Sequence, residues 1–380
     1  MLFLAALAAG CGDVFPEAEK AEYVFSEEIT LDNVARLLSS LPIETAQVAE
    51  VHEAVSASTG NGYDEEYLMR DLFGSPGAGV GDAEGTTKAE SYSHPLRDMI
   101  ADFVSERCRT KAGGAERAQA YLDSLAASDV QIYWPYSQNW DGETLPLITF
   151  DPGDGSESNL AYEVVRTDTA RVLKMVIVDE ETTMKRPVWV VNANDDALFK
   201  TLEVLRRENP SWGTGGGALT KSADSRTLYL RSFCAKRQYD SWFAGASEFF
   251  VKCGSVEDFS ASTDAELALY YPSVTDFMIV VKRRDLLKTK EFNVVLVSDW
   301  TDQLENCAFL ITEDDGGTKT SWKCSANVKY NSKTYGFEMQ IPLNSRDDIV
   351  WRGQLSRRYI ERYSGDTGHF GDVDLVLELE

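Results

Sequence analysis

The sequence predicts a mixed α+β protein: a helical N-terminal region, then a β-rich region, then a C-terminal antiparallel β-sandwich. Three observations carry this. Apolar residues recur at helical spacing from residue 23 to about 127. At Asp129 the period changes to strand-like alternation. From Ser225 onward, short alternating runs recur between turn residues, the pattern of a sandwich. The expected units are therefore 1–22, 23–127, 128–208 and 225–380.

The first element is a short apolar run, 1–6, that leads into Leu7-Ala8-Ala9-Gly10-Cys11. It is too short for the ~20 apolar residues of a bilayer-spanning helix. Small residues before a cysteine fit the cleft of a lipoprotein signal peptidase, and the motif resembles the lipobox of bacterial lipoproteins. That resemblance implies that Cys11 carries a lipid and becomes the mature N-terminus. The alternative is an apolar first turn with a chance cysteine. No Lys or Arg precedes the run, where a secretory signal opens with positive charge; a start placed too late accounts for this. Asp13, Glu17, Glu19, Glu22 and Glu27 against Lys20 make residues 12–27 a solvated tether. The stretch also resembles the acidic segment that sends some lipoproteins to the cell surface. The implied location is the cell envelope, as a surface-exposed outer-membrane lipoprotein, and the implied first partner is the membrane itself.

In the helical region, Thr30 caps a helix carried by Leu31, Val34, Leu37, Leu38 and Leu41, which Pro42 ends. Val48, Val51 and Val55 mark a second helix. Asp64 is the expected cap of a third, through Tyr67, Leu68 and Leu72. Residues 74–87 read as a Gly-rich loop. A fourth helix starts at Pro95, a favoured first-turn residue, and a fifth follows Gly113-Gly114. Strands are expected at 130–134, 145–150, 160–167, 171–179 and 187–192, a helix at 195–206, and a Gly-rich linker at 209–224. In the last strand, Val373, Leu375, Leu377 and Leu379 share one face.

The six cysteines invite a pairing scheme. Asp315-Gly316 is a strong two-residue hairpin signal. Counting outward from it places Ile311 opposite Thr320, Phe309 opposite Trp322, and Cys307 opposite Cys324, all on one face. Either a cross-strand disulfide or two buried thiols fits that register. Cys234 and Cys253 flank the next loop and are the second candidate pair. No Cys-x-x-Cys spacing supports zinc.

The chain has 380 residues, 37 basic against 62 acidic, and a net charge of −25. That balance repels phosphate backbones and argues against nucleic-acid binding. The three histidines are scattered, and nucleophile elbows, phosphate loops and dinucleotide fingerprints are absent. No catalytic residue is assigned. Acidic residues at strand ends are the metal candidates: Asp240 and Glu248 beside the 236–247 loop, and Glu313, Asp314 and Asp315 at a turn. The run from Gly245 to Lys252 resembles the Ser-Asp-Pro-Tyr-Val-Lys stretch of calcium-binding sandwich modules such as those of synaptotagmin. Glu248 stands where that family has Asp, and the Pro is missing. The resemblance implies calcium as cofactor; plain turn chemistry is the alternative. Tyr133, Trp134, Tyr136 and Trp140 either form a sugar-binding surface or plug the seam between the helical and β regions.

As a whole the chain resembles large lipoproteins of Gram-negative bacteria. The expected role is a non-enzymatic binding or assembly module for a protein or glycan. A calcium-dependent binder and a hydrolase with a paired-carboxylate site are the alternatives. Cys11→Ala is expected to move the protein from the membrane to the soluble fraction. Fatty-acid labelling with fractionation checks this, and an unlabelled, fully soluble wild type refutes the anchor.

Overall fold

The structure, a computed structural model, describes residues 25–74, 92–166, 171–194, 199–210 and 225–380. The lipobox with Cys11, most of the acidic tether, most of the Gly-rich loop and most of the expected linker lie outside these residues. Strand outweighs helix, 40% to 27%, and the strands form several antiparallel sheets, so the protein is mixed α+β with β-rich character.

Helices α1 (Leu31–Ser40) and α2 (Thr45–Gly60) begin as the caps dictate. The Thr30 hydroxyl accepts from the Asn33 N–H, and Glu44 with Gln47 forms a capping box. The third expected helix differs. Residues Glu66–Leu68 form strand β1, and only Met69–Phe73 is helical (α3). Asp64 does not cap it; its carboxylate is buried and accepts from the N–H of Ala246, far along the chain. Helices α4 (Leu96–Cys108) and α5 (Gly114–Ala126) follow.

Next come β2 (Val130–Tyr133), β3 (Leu147–Phe150), β4 (Ser158–Arg166), β5 (Arg171–Asp179), α6 (Glu180–Lys185), β6 (Val188–Ala193) and α7 (Leu202–Glu208). One sheet runs β1-β2-β6-β3-β4-β5, antiparallel except for β3 with β6. The helices bury their apolar residues against one face of it, in a cluster that includes Val34, Leu37, Val51, Ile100, Ile132, Trp134, Ile148 and Trp189. The expected boundary at 127/128 runs through this cluster.

The remaining chain forms β7 (Arg226–Ala235), β8 (Ser247–Ser255), α8 (Asp264–Leu267), β9 (Ser273–Val281), β10 (Lys290–Trp300), β11 (Leu304–Glu313), β12 (Lys319–Tyr330), β13 (Lys333–Asn344), β14 (Asp348–Ser356), α9 (Arg357–Arg362), β15 (Thr367–Phe370) and β16 (Val373–Leu379). One sheet has the order β10-β7-β16-β15 and the other β13-β12-β11-β8-β9, with β14 also on β11. Leu230, Phe233 and Leu375 of the first share a buried cluster with Phe249, Phe277 and Phe309 of the second.

The hairpin register expected from Asp315-Gly316 is not formed. A strand has two edges, and β11 gives one to β8 over 308–313 and the other to β14 over 306–313. No edge is left for β12 beyond the Leu304–Val328 and Asn306–Asn327 pairs. Phe309 therefore packs on Trp351 and Phe370, while Trp322 lies opposite Ile341 on β13. Positive φ falls at Gly316 and Gly317 rather than at Asp315 and Gly316, so the two-residue turn is replaced by a wider loop. Cys307 lies opposite Leu355, and Cys324 opposite Met339. Cys108, Cys234, Cys253, Cys307 and Cys324 are free thiols. Cys253 and Cys307, on the neighbouring strands β8 and β11, are the pair in contact. The thiol of Cys307, and then burial, hold Cys253 protonated well above its usual range.

The two halves meet through the loop after β7. Trp242 and Phe243 are fully buried against the second face of the N-terminal sheet, with Tyr133, Leu147, Val178, Val188 and Val190. The Trp242 indole donates to the Glu157 carbonyl at 3.0 Å, and the Asn192 amide donates to the Phe243 carbonyl at 3.0 Å. Arg284 pairs with the buried Glu65 at 2.7 Å, and Arg283 with Glu180 at 2.7 Å. Trp242→Ala is expected to destabilise the protein by about 3–5 kcal/mol, the usual cost of emptying a large aromatic site. Urea unfolding checks this, and a change below about 1 kcal/mol would show that the loop is not a structural plug.

Candidate metal centre

Glu313 ends β11 between two neighbours, paired with Phe249 on β8 and Asp348 on β14. Flanked on both sides, its side chain is 0% exposed. Neither of its carboxylate oxygens meets a donor at good hydrogen-bond geometry, and the groups beside it are the Asp240 carboxyl and the Ser247 hydroxyl. An ionised carboxylate buried without a donor is costly, so such a group holds a proton or a cation.

Its neighbours are acids. Oxygens of Asp240, Glu248 and Glu313 lie within 4.8 Å of one another, and so do oxygens of Glu313, Asp315 and Asp348. Asp240 comes from the loop that carries Trp242. Glu248 is the second residue of β8, nearly buried, and Asp348 opens β14 on the other side of β11. Burial pushes up the carboxyls of both Glu313 and Asp240. On Glu313 the hydrogen bond with Asp240 and the charges of Asp240 and Asp315 add to the effect, and the Ser247 hydroxyl opposes it; on Asp240 the hydrogen bond with Glu313 opposes it. The Arg283 guanidinium donates to the Asp240 backbone carbonyl at 3.1 Å and is itself paired with Glu180, and the Arg346 guanidinium favours the charged form of Asp315.

The structure thus brings together Asp240, Glu248, Glu313 and Asp315 of the acids singled out from sequence, and adds Asp348. Asp314 does something else. Its carboxylate accepts from the Gly316 N–H at 2.8 Å and the Asn344 amide at 2.9 Å, which fastens the wide loop to the neighbouring turn. Asp348 has no local sequence signal; only its cross-strand pairing with Glu313 reveals it. The aromatics do not form a platform. Trp134 sits among His52, Trp140 and Trp189 on the helical side of the sheet, at ring separations of 5.5, 5.6 and 6.0 Å. Tyr133 is buried on the opposite side, under Trp242. The Tyr136 hydroxyl donates to Glu180 at 3.0 Å.

The donor set is all carboxylate oxygen, with no thiolate or imidazole among its members. Such a set suits hard cations such as calcium or magnesium over zinc or copper. The chain matches no family model, no curated protein and no solved structure.

The raised carboxyls fix the sign of a pH effect. Below their ordinary values, 4.5 for Glu313 and 3.8 for Asp240, both groups are protonated folded and unfolded. Above those values the unfolded chain ionises first, so their contribution to stability falls as pH rises. In chelator, the stability of the wild type relative to Glu313→Gln is therefore expected to fall from pH 5 to pH 8, with the variant the more stable at pH 8. Urea unfolding across that range checks it, and a pH-independent difference refutes the assignment.

Proposed function

We propose that this protein is a calcium-dependent, non-enzymatic binding module of the cell envelope, tethered by a lipid on Cys11, whose C-terminal unit is a β-sandwich that carries the cation at one end. The observation that carries this reading is Glu313, a fully buried carboxylate gathered with Asp240, Glu248, Asp315 and Asp348. The shared buried cluster of the two C-terminal sheets supports the sandwich. The lipobox-like Leu7 to Cys11 supports the tether. A divalent cation relieves the mutual repulsion of these carboxylates.

A carboxylate hydrolase is the competing reading, since Asp240 and Glu313 are close enough to share a proton as paired catalytic acids do. The burial of Glu313 disfavours it, because a glycosidic or ester bond needs access to both acids.

Calcium is expected to raise the unfolding temperature at pH 8, with a chelator reversing the shift. The stabilisation at a hundredfold excess over Kd should be about 2.7 kcal/mol. Asp240→Asn should weaken binding by at least the about 10–100-fold that loss of a supporting outer-sphere group costs. Absence of any thermal or calorimetric response to calcium, magnesium or manganese would remove this function.

A further inference from the structure

We propose that two copies of this chain join edge to edge through β5, antiparallel and centred on Met175, so that their N-terminal sheets run on as one. The inference is independent of the cation reading above.

Strand β5 ends the order β1-β2-β6-β3-β4-β5, and among the described residues it pairs with β4 alone. Its outer edge is a row of backbone N–H and C=O groups of the kind that templates another strand. The strand has 9 residues, Arg171–Asp179, which makes about 30 Å of edge. Proteins blunt such edges with proline, bulges or outward lysines. β5 has no proline and no register shift against β4. Its one lysine, Lys174, is turned to Glu163 of β4 at 4.0 Å.

The face beside that edge is apolar. Leu160 of β4 and Met175 and Ile177 of β5 are 47%, 50% and 64% exposed. Leu160 lies opposite Ile177, and Tyr162 opposite Met175. These residues share the face whose inner part the helices cover, since Tyr162 and Leu173 pack into the helical cluster.

The sequence of the strand says what completes it. Two identical edges meet antiparallel about a two-fold axis, which closes the pair. Opposite residues point to the same face, so their numbers sum to an even number. Centring on Met175 pairs all 9 residues. Met175 then meets its own copy, and Leu173 meets Ile177. Leu160 and Ile177 of one copy line up with Leu173 and Val164 of the other in one apolar row. Position 171, an arginine, falls opposite Asp179, so each end of the joint sets opposite charges together. Hydrogen bonds from Thr182 hold the Asp179 carboxyl below its usual range, so it is charged for that pairing. Neighbouring registers are worse. Centring on Lys174 sets two lysines face to face, and centring on Val176 sets Leu173 opposite Asp179.

Sedimentation velocity of the full chain carrying Cys11→Ala, so that no lipid drives association, tests this. The expected result is a monomer–dimer equilibrium. Met175→Lys puts like charges on the axis and should raise the dissociation constant about tenfold or more. The circular dichroism spectrum should not change, because the replaced side chain is exposed. Met175→Cys fixes the register. With diamide as the oxidant, the two axial thiols should join as an intermolecular disulfide, each giving up one proton and one electron. In Lys174→Cys the two copies of the position are offset by about 7 Å along the strands, beyond disulfide reach, and should cross-link no more than the parent chain. A chain that stays monomeric at about 0.1 mM, where a micromolar dimer is saturated, overturns the joint. So does a dimer that Met175→Lys leaves intact, or cross-linking at 174 in place of 175. Monomers that sediment with phosphatidylcholine vesicles, and lose this with Ile177→Lys, would give the face to a lipid surface and overturn it too.

Discussion

The fold of the C-terminal half turns on a constraint at the end of one strand. β11 is flanked along its outer half by β8 and β14 at once, and Glu313 is its last residue. A carboxylate in that position cannot swing out to water. Its energetics depend on what shares the space with it, a proton or a cation, since removing an ionised carboxylate from water costs several kcal/mol unless it is paired. The surrounding acids come from separate strands and loops that the two sheets bring together. That is an expensive arrangement for a protein to keep if it only stabilises a fold, because a well-packed apolar cluster at the same site would be cheaper.

Much of the architecture was legible from local chemistry. Thr30 caps α1, Pro95 precedes α4, and the change of period at Asp129 falls one residue before β2. The alternation of the last strand gave its bounds and its buried face, with Val373, Leu375 and Leu377 inside. What failed was the part decided at long range. Asp315-Gly316 is a sound hairpin signal when two strands have only each other to pair with. Here β8 and β14, distant in sequence on both sides, outcompete β12 for β11, so the register rule has no strand to act on. Asp64 failed in the same way: its position suits a helix cap, but the Ala246 N–H reaches it first.

The candidate site was half legible. Acids flanking loops at strand ends can be read from sequence, and four of them converge. Asp348 and the separation of Asp314 from the group required the sheet order, because each follows from which strand lies beside β11. The aromatic run at 133–140 shows the limit of composition. Tyr133 and Trp134 are adjacent in sequence, yet strand alternation sends them to opposite faces of one sheet, one under the helices and the other under Trp242.

The loop after β7 has a mechanical consequence. Asp240 lies two residues before Trp242, so one short segment reaches the carboxylate cluster with one side chain and the N-terminal sheet with the next. The joint between the two halves and the carboxylate cluster are thus connected in series. A pull that separates the halves draws first on Trp242 and Phe243, and through them on Asp240, before it loads either sheet. An ion that fixes Asp240 would act as a rivet in that line. By reciprocity, a partner that strains the joint would loosen the ion by the same free energy that the ion adds to the joint.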